Sequence, residues 1–258
     1  MTYRRTWRYR RAIVTPTVAP APLSGARRVR WGMGDFFWVF VGGFVAAYIA
    51  ALIAIGVGGW QPGDLSGNEK TLVSGIGAIA QYGAFWALLV VILRSKGGGI
   101  VRDLGVVADR EVGAIIGWFF AGAALQVAIN ISLLPITTLR DQDSQAIVEQ
   151  IDRSSGIALA MLVLSAGLLA PVFEELLFRG LFLRSLLRRV PAATAIVVSG
   201  SVFGVVHLSD PDAFVILPGL VAIGLISGWL AVSSRGMARS IALHIGFNLI
   251  AVIAQIVS

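Results

Sequence analysis

Long apolar blocks separated by short polar stretches organise this chain. A helix that crosses the ~30 Å hydrocarbon core of a bilayer needs about 20 mostly apolar residues. Blocks of this kind fall at Phe36–Gly58, Thr71–Leu93, Val112–Ile136, Ile157–Phe182, Ala192–Leu208, Ala213–Val232 and Ser240–Val257. Their apolar residues run continuously rather than in an amphipathic rhythm, which predicts helices surrounded by lipid or by one another. The fourth block can continue as a helix to Arg189, and a turn near Val190–Pro191 would fold it into a hairpin with the fifth. Gly97–Glu111 is glycine-punctuated, charged and weakly amphipathic, so it predicts a connector with a short interfacial helix. Small residues such as Gly42, Gly43, Gly75 and Gly77 mark places where spanning helices can pack closely. The expected fold is all-α, a polytopic membrane bundle of about seven transmembrane helices.

Composition supports that reading and removes several chemistries. Hydrophobic residues are 57% of the 258 positions, charged residues 14%, and mean hydropathy is +0.82, well outside the soluble range. The chain has no cysteine, which excludes a disulfide framework, a thiol nucleophile, a lipobox-type anchor and a thiolate metal site. Its two histidines are His207 and His244, so imidazole chemistry must use them.

The net charge of +7 is uneven, with Arg4, Arg5, Arg8, Arg10, Arg11, Arg27, Arg28 and Arg30 all preceding the first block. Trp7 and Tyr9 could stack on bases, but no folded nucleic-acid module fits so short and proline-broken a segment. Residues 1–34 therefore read as a disordered cytoplasmic tail that sets topology and touches anionic lipid, with no nucleic-acid partner. The first apolar block exceeds the ~7–15 residues of a signal-peptide core, so a retained span is expected. With the N-terminus inside, Arg94, Lys96, Arg102, Arg110, Arg184, Arg188, Arg189, Arg235 and Arg239 fall on inner loops. Asp64, Glu69, Asp141, Asp143, Glu149, Asp152, Asp210 and Asp212 fall on outer ones. Lys70, Arg140 and Arg153 outside, and Asp103, Asp109 and Glu111 inside, run against the trend.

Ionisable groups within spans cost at least ~2.5–3.5 kcal/mol each near the bilayer centre, so each needs a reason. The first cluster is Glu174-Glu175-Leu-Leu-Phe-Arg179, following Pro171. Glu175 and Arg179 are four apart in the favourable acid-then-base order. Glu174 points about 100° away around the helix, free of that pair and suited to proton transfer. An inner-interface cluster that snorkels to water is the structural alternative. The second and third clusters are Phe203-x-x-x-His207 and His244-x-x-x-Asn248, each on one helix face. Phe203 can pack on and shield the imidazole, and Asn248 can donate to whatever His244 touches. A lone histidine on an apolar helix is more often a satisfied core residue, but here both histidines sit in spans beside an unpaired glutamate. Glu174 lies about 16 residues before the hairpin turn and His207 about 16 after it, so at ~1.5 Å per residue they share a height. His244, counted along its own span, does not match that height without a hairpin displaced toward the cytoplasm.

These three motifs, Glu174-Glu175-x-x-x-Arg179, Phe203-x-x-x-His207 and His244-x-x-x-Asn248, resemble those of the CAAX protease and bacteriocin-processing (CPBP) family of intramembrane endopeptidases, which includes the type 2 CAAX prenyl endopeptidases. The likeness covers roughly Ile157 to Ala251, with no departure at the motif positions. It implies a bundle enclosing a polar cavity, with residues 35–156 as N-terminal transmembrane helices and 157–258 as the catalytic core. It further implies Glu174 and His207 as the pair that activates a water, and His244 and Asn248 as oxyanion donors. Glu174, His207 and His244 would also make three N/O ligands with an open position, as in catalytic zinc sites. The H-E-x-x-H helix of zincins is absent, and both a divalent-metal mechanism, zinc for example, and a metal-free one stay open.

The implied partners are the lipid bilayer and a membrane-associated peptide, prenylated or bacteriocin-related. Compact size and bare loops suggest a bacterial plasma membrane as the location, and oligomeric state is open. Two other classes compete: a proton-coupled transporter, and a non-catalytic scaffold or immunity protein. Transport more often shows inverted repeats, whereas these charges occupy only the second half of the chain.

Overall fold

The computed structural model describes residues 31–96, 103–106, 111–140, 160, 163–208, 213–234 and 236–257. The basic tail, most of the Gly97–Glu111 connector and the acidic segments at 141–152 and 210–212 lie outside them. Among the described residues there are seven helices and no strand. They are α1 (Met33–Gly58), α2 (Gly67–Ser95), α3 (Val112–Arg140), a composite α4, α5 (Ala192–Val205), α6 (Ala213–Ser233) and α7 (Ala238–Val257). Helix α4 runs through a π stretch Val163–Leu169, an α turn Ala170–Glu175, a second π stretch Leu176–Leu183 and a last α turn Arg184–Leu186.

Local chemistry explains several boundaries. The Asp35 carboxylate accepts the Gly32 N–H at 2.7 Å at the start of α1, and Gly59 ends that helix in the left-handed region at φ +67°. Ser66 and Glu69 close a capping box at the start of α2, the Glu69 carboxylate accepting the Ser66 N–H at 2.7 Å. Pro191 precedes the first residue of α5, so the hairpin between α4 and α5 turns where the sequence predicts.

Four of the seven expected spans, α1, α2, α3 and α6, are long and apolar enough among the described residues to cross a membrane. The composite α4 and the shorter apolar helices α5 and α7 are not, and α5 has only 14 residues. At ~1.5 Å per residue that is about 21 Å, short of the ~30 Å core. Helix α5 ends at Val205, and His207 sits in the turn just beyond it. The outer surface is apolar all the same: Trp38 is 68% and Val57 86% exposed on α1. Such continuous apolar exposure is untenable in water and normal in lipid, so the chain is an integral membrane protein.

One end of the bundle gathers the predicted inner-loop charges. Lys96 at the end of α2 meets Asp35 at the start of α1 at 2.6 Å, Arg239 meets Glu111 at 2.8 Å, and Arg188 donates to the Trp31 carbonyl. At the centre lies the second π stretch of α4, buried from Leu176 to Leu183. Phe36 of α1 stacks on Phe182 at 4.4 Å and meets Phe178 edge-on at 5.3 Å, which seats the α1–α2 hairpin on α4.

Two close backbone approaches fix the remaining helices. A Cβ on Gly122 would lie 1.9 Å from the Leu243 carbonyl oxygen, and one on Gly246 would lie 2.0 Å from that of Phe119, so α3 and α7 touch backbone to backbone. Gly200 and Gly224 do the same for α5 and α6, a Cβ on Gly224 falling 2.6 Å from the Gly200 carbonyl oxygen. Only glycine permits such contact, the usual device of spanning helices.

Candidate active site

Glu174 and Glu175 end the short α turn that separates the two π stretches of α4. Pi turns in otherwise α-helical segments often sit at functional sites, and here the register change aims two adjacent carboxylates at different partners. Glu175 is fully buried, with Oε1 3.1 Å from Arg179 Nη1. Arg179 is equally buried; it donates to the Gly224 carbonyl at 2.9 Å and lies 4.7 Å from the centre of the Phe203 ring. The expected Glu175–Arg179 pair is therefore formed, and α6 and α5 complete its setting.

His244 adds what the sequence did not show. Its Nδ1 lies 3.1 Å from Glu175 Oε1, so one carboxylate oxygen serves both the arginine and the histidine. Its Nε2 then faces Glu174 Oε2 at 3.6 Å. The heights that disagree along the sequence agree in space.

His207 reaches the other side of the same carboxylate, Nε2 standing 3.9 Å from Glu174 Oε1. Its Nδ1 is 2.7 Å from the Phe203 carbonyl, which can only accept, so Nδ1 carries a proton and Nε2 is the nitrogen turned to Glu174. Phe203 itself is fully buried and packs on both imidazoles, 4.8 Å from His207 and 5.3 Å from His244 between ring centres. The expected shielding role is extended to the second histidine.

Asn248 donates from Nδ2 to the Ala166 carbonyl at 3.1 Å. A π register pairs each carbonyl with the N–H five residues on. For Ala166 that residue is Pro171, which has no N–H. The side chain of Asn248 supplies the missing donor and keeps one further N–H free.

Glu174 and His207, with side chains 24% and 33% exposed, sit where two cavities meet. The larger, about 390 Å³, is walled by Phe40 and Phe44 of α1, Gln81, Tyr82 and Phe85 of α2, and Phe178 of α4. The smaller, about 200 Å³, lies toward α3 and α7 and is lined by His244, Asn248 and Gln126 among others. Sequence reasoning missed Gln81, Tyr82 and Gln126; amides and a phenol within spans were the available signal.

Residues 156–250 match the family described as type II CAAX prenyl endopeptidase Rce1-like. The match takes in all three motifs and supports a CPBP-type protein. The protein is also 24% identical over 229 residues, 85% of its own length and 89% of the relative's, to the "Putative membrane peptidase YdiL" of Bacillus subtilis (strain 168). No solved structure matches it. Glu174, Glu175, Arg179, Phe203, His207, Gly224, His244 and Asn248 lie within the Rce1-like segment, whereas Phe40, Phe44, Gln81, Tyr82, Phe85 and Gln126 lie before it. The likeness supports a membrane protease.

The Rce1-like core does not form the three-ligand cage considered for zinc. Among the described residues no three His, Asp or Glu side chains come together as a metal site. The two histidines approach opposite oxygens of Glu174, and His244 is held from behind by Glu175.

Proposed function

We propose that the protein is an intramembrane endopeptidase in which Glu174 and His207 activate a water to cleave a peptide bond of a membrane-associated substrate. The observation that carries the reading is a half-buried carboxylate whose two oxygens face two different imidazoles, at 3.9 and 3.6 Å, between two cavities. The 3.9 Å gap is too long for a direct hydrogen bond, and one water beside it can touch both Glu174 and His207. Glu174 takes the proton as the water oxygen attacks the peptide carbonyl. The oxyanion that forms is held at His244 Nε2 and by the free N–H of Asn248. Glu174 returns the proton to the departing nitrogen, the C–N bond breaks, and a carboxylate and an amine leave.

Glu175 and Arg179 act from one step away by holding His244. Peptides that stay in the bilayer, prenylated CAAX-type or bacteriocin-related ones included, are the substrate class, since the site opens among spanning helices. The charge pattern of the loops supports an N-terminus on the cytoplasmic side, and a bacterial plasma membrane is the proposed location.

The test is cleavage of membrane-tethered and prenylated peptides by purified protein, wild type against Glu174→Gln, with and without a chelator. Loss of at least ~10²–10⁴-fold in rate is expected for the variant, the span attributed to a positioned acid–base group. No effect of a chelator is expected. Equal rates in the two proteins would overturn the assignment, and a scaffold or transporter would then be the better reading.

A further inference from the structure

The smaller cavity has a polar wall that the hydrolytic scheme does not use. Gln126 of α3 lines it, is 8% exposed, and has a carbonyl oxygen Oε1 that is buried without a donor. Its Nε2 is committed to Asn130 Oδ1 at 2.8 Å, one turn along the same helix. The amide is thus oriented, with its nitrogen tied down and its oxygen left over. Leaving a buried acceptor unpaired is costly, so an arrangement that fixes one in place beside a reaction site points to a donor supplied from outside.

Its location is set by packing. Gly122 and Gly246 bring α3 and α7 into backbone contact, and Gln126 lies one turn beyond Gly122, facing the cavity that His244 and Asn248 line from α7. Glu174 and His207 close the same cavity, while Ile129, Phe203, Ile216, Leu220, Phe247 and Val252 make the rest of its wall mostly apolar. A peptide entering such a place loses water from its backbone, and at membrane depth each N–H must find an acceptor. Glu174 is occupied by the water, and His244 and Asn248 by the oxyanion. Gln126 offers what is missing.

We propose that Gln126 is a substrate-binding residue whose Oε1 accepts a backbone N–H of the peptide, on the side of the scissile bond that occupies the smaller cavity. The inference rests on the endopeptidase reading above. It adds a contact from a helix outside the Rce1-like segment, and it selects for a peptide backbone rather than for a side chain or a lipid.

The experiment pairs a substrate change with a protein change. Peptides carrying a single N-methyl group at successive backbone positions around the cleavage site are compared with the parent peptide, using wild type and Gln126→Met. In wild type one N-methyl position lowers kcat/KM by about tenfold, the size of one lost hydrogen bond. Gln126→Met lowers kcat/KM on the parent peptide by a similar factor, mainly through KM, and no longer distinguishes that N-methyl position. The Gln126→Met protein melts close to the wild-type temperature, because removal of an unpaired buried acceptor offsets the lost hydrogen bond to Asn130.

If Gln126→Met loses activity equally on every peptide and melts lower, Gln126 is structural and the proposal is overturned. The same holds if the variant keeps the wild-type preference against N-methylation. Failure of wild type to cleave any peptide would instead bring down the endopeptidase reading, and this inference with it.

Discussion

Replacing Glu175 by glutamine isolates the cost of a buried charge left without its counter-ion. The side chain keeps its shape, and its amide oxygen can still accept from His244 Nδ1, now at 3.1 Å from Oε1. What changes is Arg179, which is 1% exposed and loses the carboxylate 3.1 Å from its Nη1. Removing one member of a buried pair costs ~3–5 kcal/mol. Arg179 keeps the Gly224 carbonyl at 2.9 Å and the Phe203 ring at 4.7 Å, and a desolvated cation–π contact is worth up to ~2 kcal/mol, so the lower end applies. A loss of about 3 kcal/mol is expected, roughly 100-fold in the folding equilibrium.

The assay is reversible unfolding in mixed micelles of rising SDS fraction, followed by circular dichroism. Glu174→Gln serves as the control: its carboxylate is partly exposed and has no partner closer than 3.6 Å, so a change within ~1 kcal/mol is expected. The decisive arm is Glu175→Gln combined with Arg179→Met, which removes both charges. With no charge left uncompensated the penalty for an orphaned buried ion no longer applies, so the double variant should recover most of the loss, short of the bond to the Gly224 carbonyl. A double variant as unstable as Glu175→Gln alone would refute the orphaned-charge argument.

Further outcomes follow from the geometry around Glu174. Asn248→Ala should lower kcat by about 10²–10³-fold with little change in KM, as for other lost oxyanion donors; a change confined to KM would contradict that role. Gly246→Ala should push α3 and α7 apart by about 1 Å, because the new Cβ would meet the Phe119 carbonyl oxygen 2.0 Å away. The expected destabilisation is ~1–3 kcal/mol, and activity should fall by about 100-fold as Asn248 and Gln126 shift; wild-type turnover would refute the backbone contact. Asp35→Asn, by contrast, should change stability by at most ~1 kcal/mol, since it breaks a pair with the partly exposed Lys96, which the same unfolding assay can read.

The sequence by itself determined the solvent, the helices and the polar residues that the helices carry inward. Apolar blocks of near-bilayer length force backbone groups to pair within helices, so their number and order are legible without a structure. The Glu175–Arg179 pair was legible for a similar reason, because a four-residue spacing is a local property of a helix. Sixteen residues on either side of a proline-marked turn were enough to set Glu174 beside His207.

What only the tertiary structure decided is how α7 enters. Counting along a span gives height in one helix and nothing about its neighbour, so His244 could not be brought to Glu174 from sequence. Two close backbone approaches, Gly122 to Leu243 and Gly246 to Phe119, and a register shift within α4 did that, and neither has a periodic signature. The π stretches depend on hydrogen bonds that shift by one residue, visible only afterwards in the pairing of Asn248 with the carbonyl that Pro171 leaves open. The second use of Glu175 and the stranded oxygen of Gln126 are likewise products of packing between helices far apart in the chain. Residue type and local spacing name the candidates; the approach of one helix backbone to another decides which atoms meet.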